Sequence, residues 1–372
     1  MKRILFLMSD TGGGHRAASR AIQAALDELR PGEFSYEMVD MWKDYTPYPL
    51  NTQPDVYADW VNNSPHTYAA QYWVNDRVFH LKAISDLYCR FSFLRMKHLY
   101  HDHPCDIVVC VHSVFVRPAI YALRRLQLRM PFITVITDYA RPPLVWYDSR
   151  VDRLLVPTEP AYWRGRALRI PDSIMTITGA PIHPRFTHIN MSKAEARVQL
   201  GLDPDVRIVL MVGGGDGMGP LVETARAVDS RPLNGELVII AGRNTEMKAE
   251  LESIYWQHKA HIYGFVDNMP TFMRAADLII TKAGPATITE AAAMGLPMII
   301  SGGIRYQETP NIDYVVERGA GIYAPGPEKV AQTVESVFGD DGTALAALAK
   351  GVTRIAEPEA IWNIGREILK YV

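Results

Sequence analysis

Cysteine is scarce: three in 372 residues, at 89, 105 and 110, with no CxxC spacing. That supports neither a zinc site nor a disulfide framework and fits a reducing compartment. Long apolar runs are missing as well. The N-terminal "KRILFLMSD" is too short for a signal peptide or a membrane span, and no later run reaches spanning length. Any membrane contact would therefore lie on the bilayer surface. There is no low-complexity tract and no repeat of solenoid length. Net charge is nearly absent, at −2, but residues 77–169 hold 15 Lys and Arg against 7 Asp and Glu. A basic stretch of this kind attracts an anionic lipid surface or nucleic acid, or is simply the solvated face of ordinary helices.

What is present is a folded composition, 48% hydrophobic and 22% charged, in a chain too long for one ordinary core. Apolar runs at 3–9, 35–40, 106–112, 132–138 and 153–158 alternate with helical stretches. A proline-rich break covers 171–189. The pattern then restarts with runs at 206–215, 236–242, 260–265, 276–284 and 296–303. The alternation predicts βα units on parallel sheets, hence an α/β class with two Rossmann-like halves and a cleft at the carboxyl ends of their strands. "PEAIWNIGREILKYV" closes the chain as a predicted helix.

Two glycine turns stand out. In "LMSDTGGGHRAA", Gly12-x-Gly14-x-x-Ala17 fits a dinucleotide fingerprint, with Asp40 ending the second strand as a ribose-binding acid. No Lys-Ser/Thr follows, which excludes a Walker A loop. The fingerprint leaves Asp10 and His15 unexplained. Both should face the cleft, Asp10 as a group able to accept a proton from an alcohol and His15 at a helix start that favours negative charge. The structural alternative is that Asp10 braces the loop and His15 packs.

The second turn, "VGGGDGMGP", sets Gly213, Gly214 and Gly215 between a strand and a helix, where backbone can approach a pyrophosphate. Further on, Phe265, with Val266 beside it, is placed at a strand end where it can border a flat base. Lys282 and the Gly284-Pro285-Ala286-Thr287 turn open another helix N-terminus. Glu290, one turn on, offers two acceptor oxygens to the hydroxyls of a ribose. Gln307, Glu308 and Asn311 are short-range polar groups suited to sugar hydroxyls, or to satisfying their own loop. Base, ribose and diphosphate contacts thus fall in chain order, as a nucleotide-sugar site needs.

Together "FLMSDTGGGHRAASRAI", "DMWKDYTP", "GFVDNM", "KAGPATITEAAAMGLPMII" and "QETPNIDYVVERGAG" resemble the monogalactosyldiacylglycerol and diglucosyldiacylglycerol synthase group of glycosyltransferases, relatives of the peptidoglycan N-acetylglucosaminyltransferase. The resemblance spans nearly the whole chain. It implies the GT-B fold, two doubly wound Rossmann-like domains facing each other across a cleft. An acceptor domain would cover 1–175 and a UDP-sugar domain 176–350, with a helix over 351–372 placed so that it can return to the first domain. It further implies inverting transfer of galactose or glucose from UDP-galactose or UDP-glucose to diacylglycerol, in one displacement.

On this resemblance Asp10 is the general base and His15 lines the acceptor or phosphate region. The donor site it implies comprises Gly13 and Gly14, Gly213, Gly214 and Gly215, Phe265 and Val266, Lys282, the Gly284-Pro285-Ala286-Thr287 turn, Glu290, Gln307, Glu308 and Asn311. No metal or other cofactor is expected, since helix dipoles and basic groups stabilise the departing diphosphate. Trp42, Tyr45, Trp60 and Trp73, with neighbouring aromatics including Phe79, suit a lipid–water interface or a core under a loop. The expected partners are the sugar nucleotide, diacylglycerol and an anionic phospholipid surface, with no nucleic acid. The expected location is cytoplasmic, peripheral to the membrane. A polyprenol-linked or soluble acceptor, and a UDP-sugar epimerase on the same fold, are the alternatives.

Overall fold

Ile4 to Met8 run without a polar break, and in the computed structural model all five are buried, as a parallel strand covered on both faces requires. The structure describes residues 1–11, 13–78, 82–214, 220–339 and 342–372. It divides into two units, Met1–Pro184 with Glu359–Val372, and Arg185–Pro358.

Unit 1 is a six-stranded parallel sheet of β1 (Lys2–Met8), β2 (Phe34–Asp40), β3 (Ile107–Cys110), β4 (Phe132–Val135), β5 (Arg153–Val156) and β6 (Met175–Ile177). The strand order is β2-β1-β3-β4-β5-β6. Among its helices are α1 (Gly14–Leu29), α2 (Lys82–Asp102) and α3 (Ser113–Arg125). On α1, Ala18, Ile22, Ala25 and Leu26 recur at helical spacing and are buried. The chain's last helix, Ala360–Leu369, lies on α1, so closely that a Cβ at Gly365 would come within 2.7 Å of Leu29 Cδ1. An Arg153–Glu367 ion pair at 2.9 Å and a bond from the Tyr371 hydroxyl to the Asp152 carbonyl fix it.

Unit 2 repeats the plan with β7 (Ile208–Val212), β8 (Glu236–Ile240), β9 (Ala260–Tyr263), β10 (Leu278–Lys282), β11 (Met298–Gly302) and β12 (Gly321–Tyr323), in the order β12-β11-β10-β7-β8-β9. The helices that matter here are α4 (Leu221–Asp229), α5 (Pro285–Ala293) and α6 (Thr309–Glu317).

Two strands escape the sequence pattern, β6 and β12. Each has three residues and an edge position, too short for apolar periodicity to register. Because β6 pairs with β5, part of the 171–189 stretch belongs to the first sheet, and a division after residue 175 would cut that strand.

The strand orders locate the sites. In unit 1 the chain leaves β1 toward β2 on one side and returns to β3 on the other. In unit 2 the same reversal lies between β7 and β10. Such switch points open a crevice at the carboxyl ends of the strands, where α/β proteins bind ligands.

Candidate active site

At the unit 1 switch point the loop after β1 meets the loop after β3. Gly13 takes φ 72° as the residue before α1, a left-handed conformation that suits glycine, and no side chain caps the helix. Among the described residues beyond the chain neighbours, nothing lies within 4 Å of a Cβ built at Gly13 or Gly14. Gly12 lies outside the described residues.

Asp10 is not idle in this loop. Arg16, in the first turn of α1, grips it with two bonds, Nε to Oδ1 at 2.6 Å and Nη2 to Oδ2 at 2.8 Å. The guanidinium holds the carboxyl below its ordinary range, which keeps it ionised but lowers its appetite for a proton. Its backbone N–H donates to Asp40 Oδ2 at 3.0 Å. Asp40 is buried and also accepts from the amides of Trp42 and Lys43. The acid at the end of β2 is therefore spent on holding the glycine loop and the next helix, which leaves nothing for a dinucleotide ribose.

His15 is better placed for proton transfer. Its Nδ1 lies 2.7 Å from the Val111 carbonyl, which only accepts, so the proton sits on Nδ1 and the lone pair on Nε2. Thr137 Oγ1 is 3.3 Å from the same nitrogen. Burial pulls the imidazole down to about 4, so it is neutral at physiological pH and, like Asp10, a weaker proton acceptor than the free group. Unlike Asp10, whose two oxygens are both bonded, it has no partner at Nε2 among the described residues. Its ring lies against His112, 4.5 Å between centres. His112 is buried, pushed well below the usual imidazole range by that burial, and its Nδ1 has no partner among the described residues. Neither Arg16 nor His112 was anticipated from sequence. The signal for His112 was positional: it follows β3, the strand beside β1.

At the unit 2 switch point the described turns present backbone and the cation of Lys282. Gly213 and Gly214 follow β7, and Gly284 precedes α5, whose first turn has no capping side chain and no acid. Lys282 ends β10 between these turns. Its Cε is 3.9 Å from the Cβ positions of both Gly214, at φ 78°, and Gly284. Gly215 lies outside the described residues. Lys282 is held by Glu308 at 2.8 Å, and the other oxygen of Glu308 accepts from the Ile304 amide. Glu308 is buried, and so is Asn311, whose side-chain amide donates to the Ala283 carbonyl at 2.9 Å. Two of the three expected sugar ligands thus bond within the architecture beneath the α5 N-terminus. Gln307 stays in the loop between β11 and α6.

Pro285, Ala286 and Thr287 form the first turn of α5, and Glu290 follows one turn later. Burial pushes the Glu290 carboxyl up to about 7, with Arg185 opposing the rise. No described residue hydrogen-bonds this carboxyl. Phe265, after β9, is 59% exposed, with the Arg243 guanidinium 4.6 Å from its ring centre and Val266 half-buried beside it.

The aromatic group divides. Trp42 and Tyr45 line a pocket of about 220 Å³ in unit 1. Trp60 donates to Thr67 Oγ1, and Trp73 lies under Arg77; neither reaches the pocket. Phe79 is outside the described residues. Among the described residues no helix is long and apolar enough to cross a membrane.

Comparison with known proteins covers both units. The model of the family described as monogalactosyldiacylglycerol (MGDG) synthase matches residues 15–182. That of the glycosyltransferase family 28 C-terminal domain matches 208–337. The chain is 35% identical over 380 residues to a probable chloroplastic monogalactosyldiacylglycerol synthase of Glycine max, spanning 100% of this chain and 72% of that protein. Monogalactosyldiacylglycerol synthase 1 of Arabidopsis thaliana is 34% identical over 380 residues, with 100% and 71% covered. Among solved structures, MurG of Acinetobacter baumannii has the same fold at a TM-score of 0.62 and 16% identity, over the whole of both chains.

Proposed function

The chain belongs to the monogalactosyldiacylglycerol synthase family and is a glycosyltransferase, and from that premise we propose that it transfers galactose from UDP-galactose to the free hydroxyl of diacylglycerol at a membrane surface. One arrangement carries the reading: Lys282 seated between two glycine turns, at the carboxyl edge of the adjacent strands β7 and β10. A diphosphate needs such a cation together with open backbone N–H groups.

In this reading unit 2 holds the donor. Lys282, with the uncapped start of α5, takes the diphosphate, and Glu308 keeps the ammonium in place. Glu290 accepts from the ribose hydroxyls, and Phe265 borders the uracil. These groups stabilise the negative charge that grows on the departing diphosphate, and no metal is assigned a role.

Unit 1 supplies the base, and here the reading departs from the sequence expectation. Asp10 is held in a bidentate pair, so we assign proton acceptance to His15. Nε2 takes the hydroxyl proton of diacylglycerol as the oxygen attacks the anomeric carbon. The bond from that carbon to the diphosphate oxygen breaks in the same displacement, and UDP leaves with the electron pair. The resulting imidazolium keeps its Nδ1–H on Val111, and the negative Asp10 and Asp40 lie on the neighbouring loop.

The test is turnover on anionic vesicles containing diacylglycerol, with UDP-galactose and UDP-glucose offered separately and lipids extracted. The expected product is a monogalactosyl lipid from the first donor. UDP release without glycolipid would move the acceptor elsewhere. A glucolipid alone would correct the sugar.

A further inference from the structure

We propose that the unit 1 pocket lined by Trp42, Tyr45, Phe91 and Phe115 holds one acyl chain of the lipid acceptor, and that its inner wall aligns that lipid's hydroxyl with His15. The inference rests on the diacylglycerol reading above and adds where the lipid sits.

Three observations converge. The first is size and lining. At about 220 Å³ the pocket is smaller than the roughly 300–1,000 Å³ of sites that enclose a whole ligand, so it takes one arm of a molecule. Ten of its seventeen lining residues are aromatic or aliphatic; the polar remainder includes Gln53, Gln71 and Arg117, whose Nη1 donates to Ser85 Oγ at 2.9 Å. Such a lining suits a hydrocarbon chain with an ester group at one end.

The second observation is the mouth. Phe91 lines the pocket and is also 71% exposed. On the same face of α2, one turn to either side, Leu87 and Leu94 are 68% and 67% exposed. Arg90 and Lys97 on that helix are exposed too, and Arg95 lines the pocket. An apolar stripe edged with cations leads into the pocket, so an acyl chain can pass from an anionic bilayer without crossing water.

The third observation ties the pocket to the chemistry. Trp42 and Phe115 stand edge to face, 5.0 Å between ring centres. Both also face the buried His112, at 6.2 and 5.0 Å. His112 in turn lies against His15. One ring therefore separates the apolar wall from the proposed base. A lipid anchored by its chain has its glycerol end held near that base, so chain binding raises the share of encounters in which the hydroxyl reaches Nε2. His112 is a positioning residue here.

Filling the pocket tests this. Ser92→Phe from α2 and Val114→Phe from α3 put a ring into it from two walls. Turnover is compared for dioleoylglycerol and dibutyrylglycerol, both in detergent micelles; turnover of the short-chain acceptor checks that unit 1 of each variant is folded, and UDP affinity checks unit 2. The expected result is a long-chain to short-chain ratio of kcat/KM that falls about tenfold or more in both variants. A diazirine placed on an acyl chain of diacylglycerol should label α2 or α3 in the parent protein, and less so in the variants. A ratio within about twofold of the parent's in variants that bind UDP normally, or labelling confined to other segments, overturns the pocket assignment while the transferase reading stands. Absence of glycolipid from the parent protein with either acceptor removes both.

Discussion

The two switch points share a topology and use it differently. In unit 1 the glycine turn is surrounded by side chains already paired with one another: Asp10 with Arg16, Asp40 with three backbone amides, His15 with Val111. In unit 2 the described turns present backbone and Lys282, and Glu290 carries a carboxyl that burial has pushed toward neutrality. The first arrangement fixes one atom, Nε2 of His15, at a defined protonation state. The second leaves a ligand to satisfy what the fold leaves open. In the function proposed above, the first serves proton transfer and the second binds a charged, hydroxyl-rich donor.

The sharpest way to break that comparison is at His15. His15→Ala should lower kcat by about 10²–10⁴-fold and leave UDP affinity as it was. Asp10→Asn, which disturbs the loop through Arg16, should cost distinctly less; a larger loss at Asp10 than at His15 would return the base to the carboxylate. Since burial holds His15 near 4, the acid limb of kcat/KM should also lie well below 6.5.

The next largest effect belongs to Lys282. Removing it alone strands Glu308, a buried carboxylate, which would weaken the fold and confuse the result. The double variant Lys282→Met with Glu308→Gln avoids this. Calorimetry should then give a UDP affinity about 10–100-fold weaker, with thermal stability nearly kept. Undiminished affinity would remove the cation from the diphosphate site.

Glu290 sharpens the contrast through pH. Its folded value of about 7 lies above its ordinary 4.5, so the folded state holds the proton more tightly than the unfolded one. Its contribution to stability is full below about 4.5 and is lost as pH rises through about 7. Glu290→Gln should therefore be more stable at pH 8, by about 1–3 kcal/mol, while binding UDP about tenfold less well. In the parent protein UDP affinity should climb between pH 6 and pH 8 as the carboxylate forms. A flat profile there would detach Glu290 from the ribose.

The smallest effect concerns the surface. Raising salt from 0.05 to 0.5 M should release the protein from anionic vesicles, about 1 kcal/mol for each cation engaged. Retention in high salt would shift the weight from the cations of unit 1 to the apolar stripe on α2.

What the sequence determined by itself is what periodicity and local spacing encode. The alternation of apolar runs and helical stretches set the two parallel sheets. The strand–glycine–helix pattern located the glycine turns at both switch points, and the order of Phe265, Gly284 and Glu290 along the chain suggested the nucleotide-sugar site proposed above. These features involve residues close in sequence, or strands long enough for their patterning to register. The tertiary structure alone decided which polar groups are spent and which are left open. Whether Asp10 is free depends on Arg16 turning back onto it. The tautomer of His15 depends on Val111, which lies 96 residues away. Glu308 and Asn311 look like sugar ligands in the sequence, and only packing buries them under Lys282 and Ala283. Hydrogen bonds between segments distant along the chain have no period and no spacing, so the roles they assign appear only when the strands are in register.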